Sequence, residues 1–157
     1  MTTDPGERQA GQESPDIFVR LKKDELGYPP RDWEQLKAEP TATPNVMRIK
    51  SIPFYARGLA YDDEIACTKS VEGHEPVFDA VVKRSGYSTI RLLIKKDENR
   101  DDLIEFFTGH NTMIEFEGRL VALAIPREEF DALSEYLFAE RERRRWASED
   151  GFLIMDE

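Results

Sequence analysis

Proline, glycine and paired aspartates interrupt the chain between Ile17 and Gly86 so often that it is cut into short pieces, and several of these pieces alternate apolar with polar side chains. That pattern belongs to half-buried strands. Ile17, Val19 and Leu21 alternate with Phe18 and Arg20, and turn residues follow at Asp24 to Gly27. Tyr28-Pro29-Pro30 is a rigid extended link, because a residue that precedes proline is pushed out of the helical region. Further strands are expected at 32–39, 46–52, 64–68 and 76–83. So many short strands in so little chain predict a small, strongly bent sheet or barrel.

After Gly86 the rhythm changes. Tyr87 to Ile94 reads as a strand, and Asp97 to Gly109 as a helix, acidic in its first turn and with Leu103, Phe106 and Phe107 on one side. A hairpin follows, 112–117 and 120–125 around Gly118-Arg119, with glycine in the first turn position. Phe130, Leu133, Tyr136, Leu137 and Phe138 give the next segment a wide apolar stripe, a helix opening near Pro126 and running to about Arg145. Gly151 to Met155 is read as a last strand. The order β-α-β-β-α-β is that of a ferredoxin-like unit. The expected class is therefore α+β, in three parts: a disordered tail at 1–15, whose Pro, Gly and polar residues cannot repay the entropy of ordering, a small β-rich subdomain at 16–86, and a ferredoxin-like α+β subdomain at 87–157.

Composition narrows the function classes. One cysteine, Cys67, in 157 residues cannot form an internal disulfide and suits a reducing compartment. The first residues lack the basic and then apolar run of a secretion signal, and no stretch approaches the ~20 apolar residues that span a bilayer. A cytoplasmic protein without membrane contact is expected. The formal charge of -10 disfavours nucleic acid as a partner, since phosphate affinity comes mainly from Lys and Arg. No cofactor or metal site is expected: His74, His110 and Cys67 lie on separate elements with no shared ligand spacing. Nor does the chain carry a nucleophile elbow, a Walker loop or a His-Glu-x-x-His motif, so an enzyme is not the expected reading, and no residue is assigned a catalytic role.

Three motifs stand out in order: Gly27-Tyr-Pro-Pro30 with Trp33, then Ile52-Pro-Phe-Tyr-Ala-Arg-Gly-Leu-Ala-Tyr-Asp-Asp63, then Arg84-Ser-Gly-Tyr-Ser-Thr89. On these residues the chain resembles a bacterial family known as a domain of unknown function, over about Ile17 to Trp146 and Gly151. The resemblance implies a bacterial cytoplasmic setting and carries no assigned activity.

Two binding surfaces follow from the residues themselves. Up to Gly86 there are fifteen acidic against twelve basic residues, and from Tyr87 on seventeen against ten, so the negative field is concentrated in the second half. Asp97, Glu98, Asp101, Asp102 and Glu105 cluster at the first helix and could engage a basic protein, as an immunity or antitoxin-like inhibitor does. The same residues also suit the helix dipole on a solvated face. The alternative is a small anionic-ligand or nucleotide-binding module, or a weak enzyme, with a cleft between the halves lined by Arg57, Tyr61, Asp62, Arg84, Ser85 and Ser88. Tyr28, Trp33, Tyr55 and Tyr61 could serve as aromatic anchors or as core.

Overall fold

A computed structural model of the chain describes residues 16–68 and 73–153. The expected tail at 1–15 lies outside them, as do Ile154 and Met155 of the expected last strand. The class is α+β, mostly strand, with two sheets and two α-helices among the described residues.

The first half is a closed five-stranded barrel of β1 (Asp16–Arg20), β2 (Trp33–Pro40), β3 (Val46–Ile49), β4 (Glu64–Thr68) and β5 (Val77–Lys83). Neighbours are antiparallel, and β1 closes on β5 by one parallel contact, Phe18 against Val77, reinforced by the Phe18 N–H donating to the Pro76 carbonyl at 3.0 Å. Register shifts on β4 at Glu64/Ile65 and Ala66/Cys67 bend the sheet enough to close it. Ile17, Leu36, Ala38, Ile49 and Ile65 fill the interior with 2% exposure or less.

The second half is a sheet in the order β7-β8-β6-β9, built from β6 (Tyr87–Ile94), β7 (Met113–Glu117), β8 (Leu120–Pro126) and β9 (Trp146–Phe152), every neighbour antiparallel. Helices α1 (Arg100–Thr108) and α2 (Phe130–Glu142) cover one face. Alternation decides which side chains they meet: Ile90, Leu92, Ile94, Val121, Leu123 and Ile125 pack with Leu103 and Phe107 of α1 and Leu133 and Leu137 of α2. The opposite face carries Thr89, Arg91, Leu93, Ala122 and Ala124 and turns toward the barrel.

Helix ends depart from the sequence reading where local chemistry intervenes. The Asn99 side chain accepts the Asp102 N–H at 3.0 Å, so α1 starts after this cap and Asp97 and Glu98 lie outside it. Pro126 ends β8 and opens a single 3-10 turn, Arg127–Glu129, before α2. At its other end α2 stops at Glu142, because Arg144 adopts a left-handed φ of 63° that reverses the chain into β9 five residues earlier than expected. The hairpin turn holds Gly118 at φ 61°, a conformation open to glycine.

Candidate functional site

Between β3 and β4 the chain runs through a long loop, residues 50–63, that carries the Ile52-to-Asp63 motif. It is not a surface loop. Ile52, Ala56, Leu59 and Ala60 are at most 2% exposed, because the loop is sandwiched between the barrel and the open face of the second sheet, where Ile52 packs on Ala122 and Ala124. A buried irregular segment must find partners for its backbone groups, and here ionised side chains supply them.

Glu34 of β2, 6% exposed, accepts three consecutive N–H groups: Phe54 at 2.7 Å, Tyr55 at 3.0 Å and Ala56 at 2.8 Å. From the other side Arg91 of β6, 1% exposed, donates to the carbonyls of Pro53 at 3.0 Å, Ala56 at 3.1 Å and Tyr55 at 3.4 Å, while its Nε donates to Glu149 of β9 at 3.0 Å. One turn is thus held by a carboxylate through its donors and by a guanidinium through its acceptors. Further along, the fully buried Asp63 accepts the N–H groups of Ala60 and Ser85 and the Arg84 guanidinium at 3.1 Å. The Thr89 hydroxyl donates to the Leu59 carbonyl at 2.8 Å, and the Gly58 N–H to that of Gly151 at 2.8 Å. A Cβ on Gly151 would stand 2.9 Å from the Thr89 methyl and 3.0 Å from Arg91 Nη1, so this close approach requires glycine.

The residues expected to line an anion cleft are distributed along this loop, and most are engaged by it. Arg57 reaches out, 71% exposed, to Glu149 Oε2 at 2.8 Å. Tyr61 packs edge-on against Tyr87, and Asp62, at a left-handed φ of 72°, accepts Lys50 Nζ at 2.9 Å. Arg84 holds Asp63 and the Gly58 carbonyl and lies 3.9 Å over the Phe152 ring; Ser85 donates its hydroxyl to the Tyr61 carbonyl at 2.6 Å. Asp62, Arg84 and Ser85 do share a small polar pocket of about 190 Å³ with Arg48, Glu64 and Lys83. Its arginines already meet carboxylates: Arg48 pairs with Glu39 and Glu64, Arg84 with Asp63. Ser88 is fully buried, and strand alternation puts it on the face opposite Thr89, away from the loop.

A larger opening lies where the barrel stops short of covering the sheet. The row Glu117, Leu120, Leu93 and Ala147 crosses the four strands beyond the reach of the loop, and over it lies a groove of about 580 Å³ walled by Tyr28 and Tyr55. The two tyrosine rings meet edge to face, centroids 6.2 Å apart. Burial, then the nearby Glu149 charge, pushes the Tyr28 phenol above its ordinary pKa. Burial also raises that of Tyr55, whose hydroxyl donates to Glu117 at 2.9 Å. Both remain protonated at neutral pH. Leu93, 49% exposed, and Tyr28, 41% exposed, leave an apolar surface open to solvent. The other two expected anchors lie elsewhere: Tyr61 in the interface, and Trp33 stacked on His74 at 4.1 Å with the Arg20 guanidinium 4.5 Å from its ring.

At the acidic helix, Asp97, Asp101, Asp102 and Glu105 are exposed. Glu98 is not available with them: its carboxylate receives Arg145 Nε at 3.0 Å and Nη2 at 2.8 Å, which ties the start of α1 to the end of α2. The reactive residue types are engaged as well. Burial pushes the Cys67 thiol up, away from the thiolate form, and His110 Nδ1 lies 3.1 Å from Glu129 while its ring packs on Phe106. Among the described residues no cluster of His, Cys, Asp or Glu has the make-up of a metal site, and no helix is long and apolar enough to cross a membrane.

Sequence reasoning missed Glu34, Arg91 and Glu149. The Arg91 signal was there to read: a charge in the middle of Thr-Ile-Arg-Leu-Leu-Ile, on the opposite side of the strand from Ile90 and Leu92, needs a buried partner. Glu34 and Glu149 sit in polar runs that look solvated, and only the fold brings them to the loop. Of the groove residues, Leu93 and Leu120 fall within expected strands and Ala147 between the expected second helix and last strand, so nothing marks them as a site.

A solved structure described as that of a hypothetical protein from Neisseria gonorrhoeae is similar over 89% of this chain and 95% of its own, with a TM-score of 0.73 at 21% identity, a likeness that speaks to the fold. No curated protein matches the chain. The family model described as a domain of unknown function (DUF4265) matches residues 34–148, which takes in the loop, both of its clamps and the groove floor, and the chain belongs to that family.

Proposed function

We propose that this protein is a non-enzymatic binding module whose ligand lies in the groove between its two halves. The observation that carries this reading is the uncovered row of Leu120, Leu93 and Ala147 under the Tyr28 and Tyr55 rings: an open concavity of about 580 Å³, apolar on its floor and polar at its ends, falls within the size and make-up of small-molecule sites. The cleft-between-halves alternative is retained, on different side chains from those the sequence suggested. The half-buried Cys67, whose thiol burial holds away from the thiolate form, and the engaged His110 support a role without chemistry. On this reading residues 16–86 and 87–157 are two subdomains with separate cores, and the order β7-β8-β6-β9 with both helices on one face supports a ferredoxin-like second one. The single cysteine supports a reducing, cytoplasmic setting, and the family resemblance a bacterial one.

Thermal unfolding of the full chain against a fragment panel tests the groove. A bound compound at a hundred times its dissociation constant adds about 2.7 kcal/mol, a midpoint rise of roughly 5–10 °C. Ala147→Trp, which fills the groove from an exposed strand position, is expected to abolish that rise and leave the unliganded midpoint within about 2 °C of wild type. A rise that survives this substitution places the ligand elsewhere.

The second reading, an immunity or antitoxin-like inhibitor that engages a basic protein, is favoured by the exposure of Asp101, Asp102 and Glu105 on α1 and of Asp97 just before it. A partner held this way should lose affinity at least tenfold on combined Asp101→Lys and Asp102→Lys substitution, and should weaken steeply between low and high salt. Salt-independent binding with both lysines in place would end it.

A further inference from the structure

We infer that the groove takes an amphipathic organic anion, an aryl or alkyl carboxylate whose apolar body lies on Leu93, Leu120 and Ala147 and whose carboxylate is held by Arg119. The inference rests on the groove reading above and names its ligand class.

The charges around the groove are the reverse of those of the molecule. The chain carries a net charge of -10, yet the ionised side chains that line the groove and their direct partners are four guanidiniums, Arg31, Arg57, Arg91 and Arg119, against two carboxylates, Glu117 and Glu149. Each of those carboxylates is already doubly held. Glu117 receives Arg31 Nη2 at 2.8 Å and the Tyr55 hydroxyl at 2.9 Å, and Glu149 receives Arg57 Nη2 at 2.8 Å and Arg91 Nε at 3.0 Å. A cationic ligand would have to displace these arginines. An anionic one would not.

Arg119 is the remaining guanidinium. It occupies the second position of the hairpin turn, exposed, and its Nε donates to the Ile94 carbonyl at 2.8 Å. That bond fixes the plane of the group at the end of the groove, and among the described residues its two terminal nitrogens meet no acceptor. A guanidinium anchored through Nε and open at both Nη atoms presents the two parallel donors that fit a planar carboxylate bidentately. One such group neutralises one charge, so a monoanion matches it better than a phosphate dianion, whose second charge would meet Glu117 in the same groove. The protonated Tyr28 phenol adds a neutral polar edge beside the apolar body. An aromatic or branched aliphatic body complements the two tyrosine rings and the leucine floor.

Three probes with the same body and different head groups test this on the full chain: 4-phenylbutyrate, its primary amide, and 4-phenylbutylamine, each titrated while the methyl signals of Leu93, Leu120 and Ala147 are followed by NMR. The carboxylate is expected to shift these signals with a dissociation constant about tenfold below that of the amide, the increment of one charge-assisted bidentate contact. In Arg119→Gln, a surface substitution in a turn, acid and amide should bind alike, while Arg119→Lys keeps part of the difference. If the amide matches the acid in the wild type, the amine binds best, or Arg119→Gln leaves the ratio unchanged, the anion assignment is overturned and the groove stands as a site of different chemistry. If none of the three probes moves the groove signals, the assignment and the groove reading on which it rests fall together.

Discussion

Replacing Arg91 by methionine is expected to lower the unfolding free energy by about 3–5 kcal/mol, the cost of removing one partner from a buried ionic network. Methionine fills much of the same volume, so the loss is electrostatic and hydrogen-bonding in origin. The carbonyls of Pro53, Tyr55 and Ala56 lose their donor, and Glu149 is left with Arg57, which is 71% exposed. Urea unfolding followed by far-UV circular dichroism measures this. The surface substitution Arg141→Met, next to a mostly exposed Glu142, serves as control and should change stability by less than about 0.5 kcal/mol. A loss below about 1 kcal/mol at Arg91 would mean that water replaces the guanidinium at little cost, and that the loop is not held by this clamp.

The second large effect is expected at Glu34. Glu34→Ala leaves three adjacent N–H groups of one buried turn without an acceptor, and a loss of about 3 kcal/mol follows even if water reaches some of them. Glu34→Gln keeps one oxygen in place and should lose less. Because Glu34 and Arg91 grip one four-residue turn from opposite sides and share Tyr55 and Ala56, their effects are expected not to add: once one clamp has gone and the turn has loosened, losing the other costs less. A double-mutant cycle with Arg91→Met should return a coupling of about 1–3 kcal/mol. Strict additivity would show that the two side chains act on independent parts of the loop.

How far the sequence could be read depended on whether a signal was local. Period-two alternation and Pro/Gly punctuation place β1, β2, β4, β5 and β6 to within a residue or so, because each strand carries its own pattern. β9 was expected only from Gly151 because Ser148, Glu149 and Asp150 fill its middle; it is an edge strand, its barrel-facing side carries the ion pair to Arg91, and the polar run looks like a loop. The 52–63 motif was visible as a motif, and its glycine and aspartates did mark turns. What it does, holding the barrel to the sheet, depended on Glu34, Arg84, Arg91 and Glu149, which come from four other parts of the chain. The groove was invisible for the same reason: it is the portion of a strand face that another element fails to cover, and no property of Leu93 or Ala147 alone encodes that.

The contacts of the loop also bear on the order of assembly at the ribosome. The strands of the barrel leave the exit tunnel early, but the Gly58 N–H finds its acceptor on Gly151 and Arg57 its counterion on Glu149. Both belong to β9, which is made after every other described strand. Translation therefore delivers a nascent barrel whose longest connection stays unlatched until β9 arrives, and Ile52, whose cover is Ala122 and Ala124 of the later-made sheet, is the kind of hydrophobic side chain that holdase chaperones shield in the interval.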